Sequence, residues 1–242
     1  LLHFHLITMK LKIFIILIII FFSIQGCTSH PAIQPNLPEP GTTDMGFSFS
    51  VENIVPVIWW RRGINENTDI GLRVGIPLSG TGIDINRVLF KKERSWEILN
   101  LAYSINPNSN YDLSYIRFKK NLRSSKISWL GFRVMVIPRG AVRRVNEGDL
   151  NYSASNRAGL FYGRQMSQKW GIEFGYFHDF NSMPLGKVFS TDWDPNSESV
   201  KAEYGDQYKF YPLTSGGNLP SEYSRRVGLS LQLYMYLGKL NK

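Results

Sequence analysis

Few side chains in this chain have the type and spacing that chemistry requires. The single cysteine, Cys27, follows Ser23-Ile24-Gln25-Gly26. No disulfide can therefore form within one chain, and the thiol is placed for modification rather than cross-linking. His178-Asp179, with Ser182 close behind, offers a base, an acid and a nucleophile, which catalyse only if they converge on one point. Consecutive residues of a strand point to opposite faces, so the spacing predicts that His178 and Asp179 do not pair and that His178 is a rim histidine. Asp192, Asp194, Asn196 and Glu203 put oxygen ligands at positions 1, 3, 5 and 12 of an EF-hand-like calcium loop. Ser197 stands where the sharp turn needs glycine, however, and Pro195 interrupts the loop, so a solvated acidic loop is expected. Arg139, Arg143 and Arg144 form a basic cluster suited to phosphate oxygens. Arg73, Arg133 and Glu173 fall on strand faces that a narrow interior would bury, where opposite charges must pair. No catalytic site, cofactor or metal is expected.

The elements that carry these residues alternate with a period of two. Phe47, Phe49 and Val51 alternate with Gly46, Ser48 and Ser50; Ile70, Leu72 and Val74 alternate with Asp69, Gly71 and Arg73. The last such run is the clearest, with Leu229, Leu231, Leu233, Met235 and Leu237 on one face and Ser230, Gln232, Tyr234 and Tyr236 on the other. Such ribbons have one greasy and one polar side. Ten strands are predicted, near 45–51, 55–62, 68–76, 82–91, 96–105, 111–119, 127–137, 155–164, 169–179 and 224–238, with eight or twelve as alternatives. The chain of 242 residues, with 21 glycines and 12 prolines, suits one all-β domain of many short strands. The predicted fold is an antiparallel up-and-down transmembrane β-barrel.

Ahead of the strands, Met9-Lys10-Leu11-Lys12 is a basic start and Ile13 to Phe22 an apolar run. That run is shorter than the ~20 residues a membrane helix needs, and it has the form of an export signal. Ile24-Gln25-Gly26-Cys27 resembles the lipobox of bacterial lipoproteins. The resemblance implies cleavage before Cys27 and its acylation, although Gln25 replaces the small residue usual there. Residues 1–8 read as upstream translated sequence, 9–26 as signal peptide, 27–43 as a lipidated, Pro-rich tether and 44–242 as the barrel. Thr28 to Gly41 carries Pro31, Pro35, Pro38 and Pro40, a composition that favours an extended linker over a core.

The polar strand faces are rich in Gly, Ser, Ala and Asn. Glycine weakens a strand unless crowding demands it, and a barrel interior crowds where an aqueous surface does not. Trp59, Trp60, Trp96, Trp129 and Trp170 are expected near one rim as an interfacial aromatic girdle, with Tyr103, Tyr111 and Tyr176 towards the other. Short turns are expected at the N-terminal rim, and long loops, Pro138 to Ala154 and Phe180 to Tyr223, at the far one. Arg87 and Arg117 lie on the apolar phase, where snorkelling to a basic rim is expected. The stretch Arg62 to Gly75 resembles a hairpin of small bacterial outer-membrane β-barrel proteins, and with the lipobox and the closing strand the resemblance covers most of the mature chain. The terminal Gly238-Lys239-Leu240-Asn241-Lys242 departs from the aromatic ending many such barrels carry. The resemblance implies an outer-membrane location and membrane lipids as partners. For Arg139, Arg143 and Arg144, contact with lipopolysaccharide phosphates is one reading and ordinary solvated loop charge the other, favoured one. The formal net charge of +9 is then read as complementing anionic head groups rather than nucleic acid. The role expected is non-enzymatic, with a narrow solute channel, a lipid-acting enzyme and a lipocalin-like binder as alternatives.

Overall fold

Ten alternating runs become ten strands in the computed structural model, which describes residues 34–50, 56–75, 80–105, 109–146, 149–180 and 229–240. In chain order they are β1 (Thr43–Ser50), β2 (Val57–Asn65), β3 (Thr68–Gly75), β4 (Gly82–Lys91), β5 (Ser95–Ser104), β6 (Asn110–Lys120), β7 (Ile127–Asn146), β8 (Asp149–Gln165), β9 (Trp170–Asp179) and β10 (Leu229–Lys239). Each pairs antiparallel with the next, and β10 returns to β1 to close the barrel. That seam runs from Ser50 opposite Gln232 to Asp44 opposite Lys239, with an irregularity between Met45 and Gly46. Closure pairs every strand of the barrel wall on both sides.

The turns between β2 and β3, β4 and β5, β6 and β7, and β8 and β9 share one end with the start of β1, here the N-terminal end. Their chemistry is local. The side chain of Asn65 accepts from the Asn67 N–H at 2.9 Å, that of Asn121 accepts from the Arg123 N–H at 2.8 Å, and Ser167 accepts from the Lys169 N–H at 3.1 Å. Such self-capping is what lets Asn and Ser hold tight turns.

Burial follows the two-residue period and runs opposite to that of a water-soluble barrel. Leu72, Leu101, Leu130, Phe132, Leu160 and Phe174 face outward and exposed. Ser48, Asp69, Asp84, Asn100, Asp112, Ser114, Arg133 and Glu173 are buried inside. The interior has room because glycines stand opposite its aromatic rings. A Cβ on Gly163 would come within 2.0 Å of the Trp129 indole, one on Gly131 within 2.2 Å of the Phe161 ring, and one on Gly46 within 2.1 Å of Trp59. Crowding therefore accounts for the small residues, as the sequence argument required.

Three expectations need correction. Pro138 to Ala154 was expected as a loop, but most of it extends β7 and β8 into a hairpin, paired from Ala141 opposite Ser153 to Asn146 opposite Asp149. β6 stops pairing with β7 at Val136, and β9 with β8 at Arg157. The ribbon beyond is long enough to reach roughly 30 Å past that rung at ~3.3 Å per residue. The tryptophan girdle is also different. Trp60 and Trp170 lie on the outward phase, but Trp59 and Trp129 are buried inside, and Trp96 stacks on the interior Phe118 at 5.3 Å. Interior aromatics fill the volume that glycine vacates, a demand that sequence position alone does not separate from a rim preference.

The expected extended tether is the third. Residues 34–42 fold across the N-terminal mouth of the barrel. Leu37 packs against the interior cluster of Phe118, Trp129 and Tyr234, while Gln34, Pro35 and Pro38 are buried. Gly41 donates to the Gly63 carbonyl at 2.8 Å and Gly63 donates back to Thr42 at 3.1 Å. Glu39 meets Lys239 at 3.0 Å. A Cβ at Gly63 would stand 2.4 Å from the Glu39 carbonyl oxygen, so the close approach of this strap depends on glycine there. Residues 1–33, including the signal segment and Cys27, lie outside the described residues.

The glycine–aromatic packing yields a stability prediction. Gly163→Val should destabilise the fold by about 1–3 kcal/mol, the usual cost of overpacking an interior. Denaturant titration followed by tryptophan fluorescence would measure it; an unchanged midpoint would contradict the packing described.

Candidate functional site: the charged interior

The interior residues divide into a polar network on β2 to β5 and an aromatic column on β6 to β10. In the network the Arg61 guanidinium donates to both Asp69 and Asp84. Asn86 donates to Asp69 at 3.2 Å, and Asn100 donates to Asn86 at 2.7 Å and to Asp84 at 2.9 Å. Gly71 makes the space, since a Cβ there would sit 2.5 Å from the Asp84 carboxylate and 2.8 Å from Arg61. Arg73 stands nearer the far end, donating to Ser104 at 2.5 Å and to the Gly80 carbonyl at 3.0 Å, with Asp84 at 3.8 Å.

The aromatic column runs through Phe118, Trp129 and Tyr234, with centroids about 6 Å apart, and continues in Phe161 and Phe177. Arg133 joins the column to the charged residues. Its guanidinium lies 4.6 Å from the Phe161 ring and 5.2 Å from that of Phe177. Its Nε donates to Ser114 at 2.8 Å, and Glu173 is 3.8 Å away. Glu173 accepts from the Trp129 indole at 2.9 Å. Cation–π contact and a nearby carboxylate together make a fully buried guanidinium tolerable.

Arg73, Arg133 and Glu173 thus all project inward, but they do not form one triad. Arg133 and Glu173 meet, while Arg73 belongs with Asp84. Sequence reasoning missed Arg61, Asp69, Asp84, Asn86 and Asn100 as a unit. The usable signal was phase, since each occupies an inward position of its strand, and Asp84 between Ile83 and Ile85 and Asn100 between Leu99 and Leu101 are flanked by aliphatic residues on both sides.

His178 and Asp179 are both buried and point to different faces, as their adjacency required. Tyr176 and His178 share a hydrogen bond of 2.8 Å on the outer face. Asp179 accepts from Ser155 at 2.6 Å and lies 3.5 Å from Arg157 inside. Ser182 and the acidic stretch 192–203 lie outside the described residues. Arg139 falls in the irregularity between Ile137 and Ala141, Arg143 pairs with Asn151 and Arg144 with Leu150; of their side chains nothing is described. Arg87 and Arg117 are exposed on the outer face near the N-terminal end, where Arg87 donates to Thr68 at 2.7 Å and Arg117 approaches Glu97 at 3.8 Å. Among the described residues no three His, Cys, Asp or Glu side chains converge as a metal's donors would.

Chemically, this interior binds its own charges to one another, and its guanidinium and carboxylate groups act as a packing material. Comparison with family models, with curated proteins and with solved structures finds no match to this chain.

The network predicts a strong asymmetry among variants. Arg61→Met strands two buried carboxylates and should cost roughly 3–5 kcal/mol. Adding Asp69→Asn and Asp84→Asn should recover a large part of that loss in the same denaturation assay. A triple variant no more stable than the single one would refute the pairing scheme.

Proposed function

We propose that the chain is an outer-membrane β-barrel, held additionally through an acylated Cys27, with a non-enzymatic structural or surface-contact role. The observation that carries this reading is the inverted burial pattern. Leu101 and Leu130 are more than half exposed, while Asp69, Asp112 and Arg133 are wholly enclosed. Apolar surface continuous around a closed sheet is unfavourable in water and favourable in hydrocarbon, where a closed barrel also satisfies every ladder hydrogen bond. No helix among the described residues is long and apolar enough to cross a membrane, so strands would do the crossing.

A passive role fits an interior filled by paired ions and stacked rings with a strap across one mouth. The far end carries the β7–β8 hairpin, and with it Arg139, Arg143 and Arg144. That ribbon is the part proposed to meet material outside the barrel, lipopolysaccharide phosphates being the partner its arginines suit.

Membrane fractionation with heat-modifiable gel mobility is the deciding experiment. The full chain should fractionate with outer membranes and shift mobility on boiling. Recovery as a soluble protein with no shift would defeat the proposal. In planar bilayers the inserted barrel should give no steady conductance steps; discrete steps would replace the passive role with that of a channel.

A further inference from the structure

On the outer wall near the N-terminal end, a groove of about 350 Å³ is lined by Arg94, Arg117, Lys119, Ser95 and Ser128 above Leu130 and Tyr162. Its lining holds three cations and no carboxylate. The three come together for structural reasons. Arg117 and Lys119 are successive outward positions of β6. Arg94, in the turn after β4, is pinned beside them because its carbonyl accepts from the Lys120 N–H at 2.8 Å. Glu97, the neighbouring acid, forms a long ion pair with Arg117 Nε at 3.8 Å, without a hydrogen bond, and the Arg117 side chain remains 67% exposed.

The groove lies where the wall changes character. Along β7 the outward positions run from Ser128 through Leu130 and Phe132 to Val134 and Val136, from polar to apolar away from the N-terminal end. An occupant must therefore be anionic at one end and hydrocarbon at the other. We infer that this groove binds an anionic glycerophospholipid of the phosphatidylglycerol class. The phosphodiester accepts charge-assisted hydrogen bonds from Arg94, Arg117 and Lys119, the serine hydroxyls face the glycerol, and an acyl chain descends past Leu130 and Tyr162. The inference rests on the membrane reading above and adds a ligand class and a leaflet, the one on the side of the strap.

The test uses the full chain folded into vesicles of phosphatidylcholine with a minority of phosphatidylglycerol, then released in mild detergent for native mass spectrometry of retained lipid. Phosphatidylglycerol should be retained about tenfold over its share of the vesicle, the enrichment that a preference of about 1.4 kcal/mol gives. Arg94→Gln, Arg117→Gln and Lys119→Gln together should return retention to the bulk ratio. Lys92→Gln, Arg123→Gln and Lys126→Gln, on the same rim but off the groove, should not. A correctly inserted barrel with no enrichment, or equal loss in both triples, overturns the site and leaves the membrane reading standing. Failure to insert, read from gel mobility, overturns both.

Discussion

Ring closure is the constraint on which the rest depends. Once β10 pairs with β1, the circumference of the sheet is set by ten strands, and the interior has a fixed cross-section. Every second residue must then share that volume, and every other one is turned away from it. Large side chains inside either stack on one another, as Trp96, Phe118 and Trp129 do, or face a small neighbour across the ladder. Gly163 opposite Trp129 and Gly131 opposite Phe161 are such small neighbours in register. The same limit applies to charge. Asp69, Asp84 and Arg61 have no water to retreat to, so they are accommodated as one hydrogen-bonded unit.

The fold was legible because a period of two survives in sequence with little noise. The alternation around Ile70, Leu72 and Val74, and again in β10, fixes which face is which, and the structure keeps both. Extents were less legible, since pairing between β7 and β8 persists beyond Ile137 through residues with no marked alternation. Arg143-Arg144-Val145-Asn146 reads as a loop by composition, and only its partner strand makes it a ribbon. Tryptophan misled for a related reason. A large amphipathic ring near a rim satisfies either an interfacial preference or a packing need, and Trp129 serves the second, donating to Glu173 inside.

The charged interior was half legible. Phase alone placed Arg73, Arg133 and Glu173 inside, but phase carries no information about which charge reaches which. That depends on the stagger between strands, which sets Arg73 opposite Gly82 and Arg61 opposite Gly71. The strap was illegible for the opposite reason. Its prolines mark a segment that cannot extend a sheet, and an extended linker shares that property. What distinguishes them is a single leucine, Leu37, and the aromatic cluster that receives it, assembled from residues up to 197 positions away in Tyr234.

The ion pair between Glu39 and Lys239 has a consequence for how the closed barrel is held. Glu39 precedes the first strand and Lys239 ends the last, so the two are brought side by side by the pairing of the first and last strands. Tyr236 donating to Asp44 at 3.2 Å bridges the same join a step further in. A contact between groups so remote along the chain closes a long loop, and its entropic cost is shared with the β1–β10 seam beside it. The strap therefore behaves as a latch. It has its full set of partners only when the cylinder is closed, and once seated it ties the segment before β1 to the end of β10.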